Sequence, residues 1–315
     1  MSGKLKGLEI LKNSKKIIVL KGGPSEEREI SIKTGNQVEE ALSKQHDVKG
    51  IVVSQNLLLL TEKILKFEPN VIFNALHGNF GEDGQIQSIL NALKIPYTHS
   101  GVVASSIGMN KYFSKIIFEN VGIRCPKGEK FKLGEIPKTR IKIPSIIKPT
   151  SGGSSIGITK IFKNEQLNKK NLIKSNSKNE DYLVEDFIEG REITVGILDN
   201  KICGITEIIT NSKFYDFKSK YVQVAKHIQN PKLPEKINQE LKNNSLLAHN
   251  ILGCNYISRS DFRYDEKNQK LYLLEINTQP GLTSDSLIPE MAKKNGISFV
   301  NLCNMLIDSA RCEKL

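Results

Sequence analysis

The chain has 315 residues, 38% hydrophobic and 25% charged, which is too long for one ordinary core and fits two or three globular domains. No apolar run reaches the ~18 residues of a membrane span, Met1-Ser-Gly-Lys-Leu-Lys lacks the apolar stretch of a signal peptide, and five scattered cysteines (Cys125, Cys203, Cys254, Cys303, Cys312) without a CxxC pair point to reduced cytoplasmic thiols rather than zinc or disulfides. The net charge of +12 would suit an anionic partner, but lysines mixed with Asn and Ile and few aromatics, as in the stretch 163–171, read as compositional drift rather than a nucleic-acid surface.

In chain order, Lys16-Ile-Ile-Val-Leu20 predicts a strand running into the tight loop Gly22-Gly23-Pro24. A helix follows from Ser25 to about Leu42, with Glu26, Glu27 and Glu29 at the positive end of its dipole. A strand over 48–53, a helix near 57–65 and a strand over 70–76 continue an alternation that implies βαβ units and a parallel sheet. The strand over 70–76 leads into His77-Gly-Asn-Phe-Gly-Glu-Asp-Gly84 and a helix over 85–93. That loop fits a ligand site at a strand's carboxyl end and equally a glycine-rich βα turn.

This first α/β unit extends to about residue 104, and a second stretch covers 105–185. There a helix is expected to begin near Ser106 and to carry Lys111 and Lys115 one turn apart. The strand Pro144–Pro149 ends beside Lys148 and the loop Thr150-Ser-Gly-Gly-Ser-Ser-Ile-Gly157. Glycines and small hydroxyls there would admit a phosphate close to backbone N–H groups, with Lys148 as a point charge. Taken alone, the loop reads more readily as a β-hairpin connection. Walker, GxGxxG and HExxH patterns are absent. The Lys/Asn-rich stretch 163–179 is expected to be a mobile surface segment.

Tyr182-Leu-Val-Glu185 closes the second stretch, its apolar strand ending in the acidic pair of Glu185-Asp-Phe-Ile188, and the third stretch, 186–315, holds a strand over 192–198. Phe214-Tyr-Asp-Phe-Lys-Ser-Lys-Tyr221 lies in a long polar connection, read either as an active-site lid or as an exposed hairpin. A helix around 233–250 and a terminal helix near 299–309 flank the most informative segments, Tyr256–Phe262 and Leu271–Gly281. Glu275 and Asn277 are two residues apart and so share one strand face, and with Asp261 on a neighbouring strand they make an all-oxygen site. Such a donor set suits Mg²⁺ that completes its shell with water and nucleotide phosphates.

In order and spacing these segments resemble the D-alanine–D-alanine ligase family of the ATP-grasp superfamily. The likeness rests on Gly22–Ser31, Leu76–Gly84, Ile147–Pro149 with Gly153–Gly157, Phe214–Tyr221 and Asn277–Leu287. It implies an α/β (α+β ATP-grasp) fold of three domains: an N-terminal substrate domain (1–104), a central domain (105–185) and a C-terminal domain (186–315) carrying the metal site and lid, with ATP between the last two. Two Mg²⁺ ions, replaceable by Mn²⁺, would sit on Asp261 and Glu275 and on Glu275 with Asn277. Lys111, Lys148 and Lys220 would meet the phosphates, Glu185 and the backbone of Phe187 and Ile188 the adenine, Glu192 the ribose, and Phe214 would pack near the base.

The resemblance further implies ligation of two D-alanines through an acyl phosphate, for peptidoglycan. Glu27 would anchor the first ammonium with His77 beside it, Ser286 and Leu287 would hold the second carboxylate, and Arg259 and the Gly281 N–H would stabilise the tetrahedral oxyanion. Glu27, Ser154 and Tyr221 match the triad that closes the lid, and Tyr221 favours the dipeptide, since depsipeptide-forming relatives carry phenylalanine there. A D-alanine–D-lactate ligase or another ATP-grasp carboxylate–amine ligase is the nearer alternative; a nucleotide-binding regulator is the remoter one. A cytoplasmic homodimer without nucleic-acid or membrane partners is expected. Asn110, Gln279, Leu282, Ser258 and Ser260 depart from the commoner family pattern.

Overall fold

The computed structural model describes residues 14–132, 142–154, 157–162, 181–209 and 225–313. The first sheet is parallel, ordered β2-β1-β3 from β1 (Lys16–Gly22), β2 (Asp47–Val53) and β3 (Val71–Asn74). Helices α1 (Arg28–Leu42), α2 (Leu57–Phe67) and α3 (Gln85–Ala92) supply its connections. The apolar run Ile17-Ile-Val-Leu20 is fully buried, as expected of a strand covered on both faces. Ser25–Glu27 form a turn rather than the first turn of α1, so Glu27 stands at its N-cap.

The expected helix from Ser106 is two helices, α4 (Val102–Met109) and α5 (Lys111–Asn120), broken at Asn110. Asn110 takes an extended conformation, and its side chain accepts the N–H groups of Tyr112 (3.1 Å) and Phe113 (3.2 Å). The local cap outcompetes continuation of the helix. The Lys111 N–H turns instead to the Thr150 carbonyl at 2.7 Å. Lys111 and Lys115 keep their one-turn spacing on α5.

The second sheet runs β4-β7-β5-β6, from β4 (Gly128–Lys132), β5 (Ser145–Pro149), β6 (Thr159–Ile161) and β7 (Asp181–Asp186). β5 and β6 are antiparallel, so the loop after Lys148 does join a hairpin. The third sheet runs β10-β9-β8-β11-β12, from β8 (Arg191–Leu198), β9 (Lys201–Ile209), β10 (Lys226–Gln229), β11 (Ile257–Asp265) and β12 (Lys270–Asn277). Helix α6 (Glu235–Ile251) lies between β10 and β11, and α7 (Leu287–Lys294) and α8 (Phe299–Asp308) follow β12. Sequence reading did not name β4, β9 or β10.

Each expected stretch carries one sheet, but the chain returns at its end: α8 packs on α1 and β3. One apolar cluster therefore joins Ile17, Val38 and Phe73 of the first unit to Ile257, Leu287 and Leu306 of the last. Helix α7 lies close on β8 and β9 because both strands carry glycine at the contact. A Cβ on Gly196 would come within 2.5 Å of Ile288 Cδ1 and 2.6 Å of Met291 Sδ. This approach fixes where the N-terminus of α7, at Ser286 and Leu287, projects.

Asn110→Ala removes the α5 cap and should cost about 1 kcal/mol of stability, whereas Asn110→Asp should retain it. Urea denaturation midpoints check this, and equal midpoints for all three proteins would contradict the capping role.

Candidate active site

A cleft of about 710 Å³ is lined by residues from all three expected stretches, among them Glu27, His77, Lys111, Ser154, Arg259, Glu275, Asn277, Gly281, Ser286 and Leu287. A smaller cavity of about 80 Å³ is lined by Lys148, Glu185, Phe187, Ile188, Glu192, Asp261 and others. Lys111 and Glu275 line both, so the two spaces adjoin at the predicted metal site. Phe214, Lys220 and Tyr221, with the connection read as a lid or an exposed hairpin, and the stretch 163–179 lie outside the described residues.

The expected metal trio is placed by strand register. Asp261 on β11 faces Glu275 on β12 and Thr194 on β8; Arg259 faces Asn277 and Gly196. The Thr194 hydroxyl donates to Asp261 Oδ1 at 2.6 Å, and the Arg259 fork closes on both Asp261 oxygens at 2.9 and 2.8 Å. Lys111 Nζ lies 3.2 Å from Glu275 Oε2 and donates to the Gly152 carbonyl at 2.5 Å. Asn277 Oδ1 accepts the Gln279 N–H at 2.9 Å, and a carbonyl oxygen has a second lone pair. No group of three or more His, Cys, Asp or Glu suited to a metal occurs among the described residues. The donors are two carboxylates and an amide, too few to cage an ion by themselves but suited to a hard divalent cation that takes its remaining oxygens from water and phosphate.

Behind the smaller cavity, Glu185 meets Lys148 Nζ at 2.6 Å and Lys115 Nζ at 3.0 Å, all three side chains at most 10% exposed. Burial opposes the charge on Glu185, but the two ammonium groups outweigh it and hold its carboxyl below the usual range. Burial likewise opposes the charge on Lys148, and Glu185 reverses the effect, raising its pKa. Glu192 pairs with Arg263 at 2.7 Å, its direct register partner across β8 and β11. The Phe187 N–H donates to the Pro144 carbonyl at 3.1 Å, so that donor is already engaged. Lys115 and Arg263 were not assigned site roles from sequence. The one-turn spacing of Lys115 from Lys111 was the available signal for the first; nothing local marks the second.

At the other end of the cleft the Ser154 hydroxyl donates to Glu27. Ser154 is left-handed (φ +52), a conformation that non-glycine residues rarely adopt and that collects at functional sites. Glycine at 78 admits Glu27, since a Cβ there would stand 2.8 Å from Glu27 Oε2. His77 is held by Thr34 Oγ1 at Nε2 and by Glu82 Oε1 at Nδ1, both 3.0 Å. Burial raises the Glu82 pKa against the pull of His77.

The segment after β12 is pinned to the first unit: Asn74 donates to Gln279 Oε1 at 2.9 Å, and Gln279 donates to the Leu76 carbonyl at 2.5 Å. Gln279, a departure from the commoner pattern, thus ties two walls of the cleft. Ser258, another departure, bonds His249 Nδ1 at 2.7 Å in a buried setting, where burial lowers the His249 pKa to about 4. Ser286 caps nothing on α7 and bonds Thr283 instead, so the first N–H groups of α7 have no side-chain cap beside the cleft. His227 and Glu290, 2.7 Å apart, also line this wall; their sequence separation hid the pair.

Comparison with known proteins follows the same outline. The model of the D-ala D-ala ligase C-terminus matches residues 117–308 and that of the N-terminus residues 56–100. The chain belongs to the D-alanine–D-alanine ligase family. It is 45% identical over 306 residues to the D-alanine–D-alanine ligase of Pelagibacter ubique (strain HTCC1062), covering 94% of this chain and 98% of the relative. Identity to the Wolbachia pipientis wMel ligase is 43%, with 93% and 94% coverage. Among solved structures, the Bacillus anthracis ligase complexed with ATP superposes with a TM-score of 0.80 at 28% identity, over 94% of this chain and 97% of that one. The family's α/β ATP-grasp architecture, with one parallel and two antiparallel sheets, is the one described above.

The depressed Glu185 pKa carries a sign. The stability this carboxylate contributes is present above the ordinary glutamate value of 4.5 and is lost as pH falls through the lower folded-state value. Glu185→Gln should flatten that acid limb in melting curves taken below pH 4.5, and an unchanged limb would show that the lysines do not stabilise the anion.

Proposed function

We infer that this protein is an ATP-dependent D-alanine–D-alanine ligase, forming D-alanyl-D-alanine, ADP and phosphate for peptidoglycan synthesis. The observation that carries this reading is the cleft in which the Glu27 carboxylate, Glu275, Asn277, Arg259 and an uncapped helix start at Ser286 share one space, with Asp261 beside Glu275 across the strands and lining the adjoining cavity. The smaller cavity adjoins it at Lys111 and Glu275, where nucleotide phosphates would enter.

In the proposed sequence, Glu27 holds the first D-alanine by its ammonium, with His77 beside the substrate. The carboxylate of that D-alanine attacks the γ-phosphorus of ATP, the bond to the bridging oxygen breaks, and ADP leaves. Lys111, Lys148 and Lys220 bind phosphates; Glu185, Phe187, Ile188, Glu192 and Phe214 bind the nucleoside. Mg²⁺ or Mn²⁺ at Asp261, Glu275 and Asn277 would neutralise charge on the outer phosphates. The second D-alanine, its carboxylate at the Ser286 and Leu287 end of α7, attacks the acyl carbon through its neutral amine. Arg259 and the Gly281 N–H face the resulting oxyanion, phosphate is expelled and the amine loses its proton. Ser154 and Tyr221 act with Glu27 in closing the site against water, which would hydrolyse the acyl phosphate.

No helix among the described residues is long and apolar enough to cross a membrane. A cytoplasmic location, where ATP is supplied, accords with five free cysteines. The domain limits 1–104, 105–185 and 186–315 are retained as a proposal. A homodimer is proposed through α2 and the neighbouring edge strand β2, where Leu57, Leu58, Leu59, Leu65 and Val52 expose apolar surface. Sedimentation equilibrium should return twice the chain mass, and Leu58→Lys should shift it toward the monomer; a wild-type monomer would end this part of the reading.

Pure protein with ATP, Mg²⁺ and D-alanine should release phosphate and D-alanyl-D-alanine in equal amounts. No release above a D-alanine-free control would refute the ligase reading, and depsipeptide as the main product in mixtures with D-lactate would favour the alternative. Glu275→Gln should lower turnover by roughly 10²-fold or more while the melting temperature holds, the scale expected when a charge-stabilising group is removed. Retained activity would refute the metal assignment.

A further inference from the structure

We propose that Lys115 is a positioning residue of the nucleotide site: it keeps Glu185 neutralised, so that Lys148 can leave this carboxylate for an incoming phosphate. The inference rests on reading the smaller cavity as a nucleotide site. The geometry divides the two lysines. Lys148 lines that cavity, whereas Lys115 lines neither cavity described above. Each takes its own carboxylate oxygen, Lys115 on Oε1 at 3.0 Å and Lys148 on Oε2 at 2.6 Å.

A buried carboxylate needs one cation for balance, and a second leaves a surplus positive charge out of water. An anion arriving in the cavity compensates that surplus. If Lys148 alone served Glu185, each move toward phosphate would strip a buried carboxylate of its partner and weaken nucleotide binding by that cost. With Lys115 fixed behind it, Lys148 can transfer while Glu185 stays paired. Helix α5 serves both ends of the site, since Lys111, one turn before Lys115, reaches Glu275 and the Gly152 carbonyl. The Cys125 thiol beside this cluster is neutral, burial pushing its pKa up to about 12, so it offers Glu185 no competing charge.

The test uses the full-length enzyme. Lys115→Met should raise the KM for ATP roughly tenfold or more, because Glu185 then has only Lys148 as a buried partner, and leave the D-alanine KM values and kcat at saturating ATP within about twofold of wild type. Lys115→Arg should restore ATP binding. Lys115→Met/Glu185→Gln should bind ATP better than Lys115→Met alone, because removing the carboxylate charge releases Lys148. A merely structural role would instead lower kcat and every affinity together, without relief from the second substitution, and would overturn the proposal. Should Lys115→Met fail to fold, Lys115→Gln keeps a hydrogen bond without the charge and should show the same ATP-specific defect; an unchanged ATP KM there also overturns it. Failure of the ligase reading is distinguishable, because wild-type protein would then show no D-alanine-dependent phosphate release.

Discussion

The antiparallel register of β8, β11 and β12 is the constraint on which the rest of the site depends. One row across those strands holds Thr194, Asp261 and Glu275; another holds Gly196, Arg259 and Asn277. A slip of one residue would turn every one of these side chains to the opposite face. The Thr194 hydroxyl and the Arg259 fork hold the Asp261 carboxylate in its orientation. The same register pairs Glu192 with Arg263 two residues further along β11.

Charge compensation shapes the remaining walls. Carboxylates drawn out of water need cations, and here these come from other elements: Lys111 and Lys115 from α5, Lys148 from β5. The break at Asn110 lets the first residue of α5 reach the Thr150–Ser154 loop through its backbone and its side chain together. Across the cleft, Asn74 and Gln279 tie the end of β3 to the segment after β12, so the first unit and the last share a wall as well as an apolar core.

The row of oxygen side chains was legible because its signal is local: Glu275 and Asn277 alternate on one strand, and an apolar run tells where that strand lies. The parallel first sheet was legible for a similar reason, since Ile17–Leu20 and Val71–Phe73 are continuous apolar runs. The break at Asn110 was missed because an asparagine cap inside two helical patterns resembles an ordinary surface position until its partners are known. Strands β4 and β10 are short and charged, with too few apolar residues to show a period of two. Lys115 was noticed by spacing, but its partner, Glu185, lies 70 positions away.

Sequence alone determined the alternation of elements in the first unit, the placing of Glu275 and Asn277 on one strand face and, through motif order, the family. Each depends on neighbours within a few residues or on a fixed succession along the chain. Tertiary structure decided which carboxylate meets which cation, why Gln279 and Ser258 are accommodated, and how the N-terminus of α7 comes to the cleft. Those outcomes depend on distances between groups far apart in sequence, set by strand register and by how closely helices approach glycine-bearing strands.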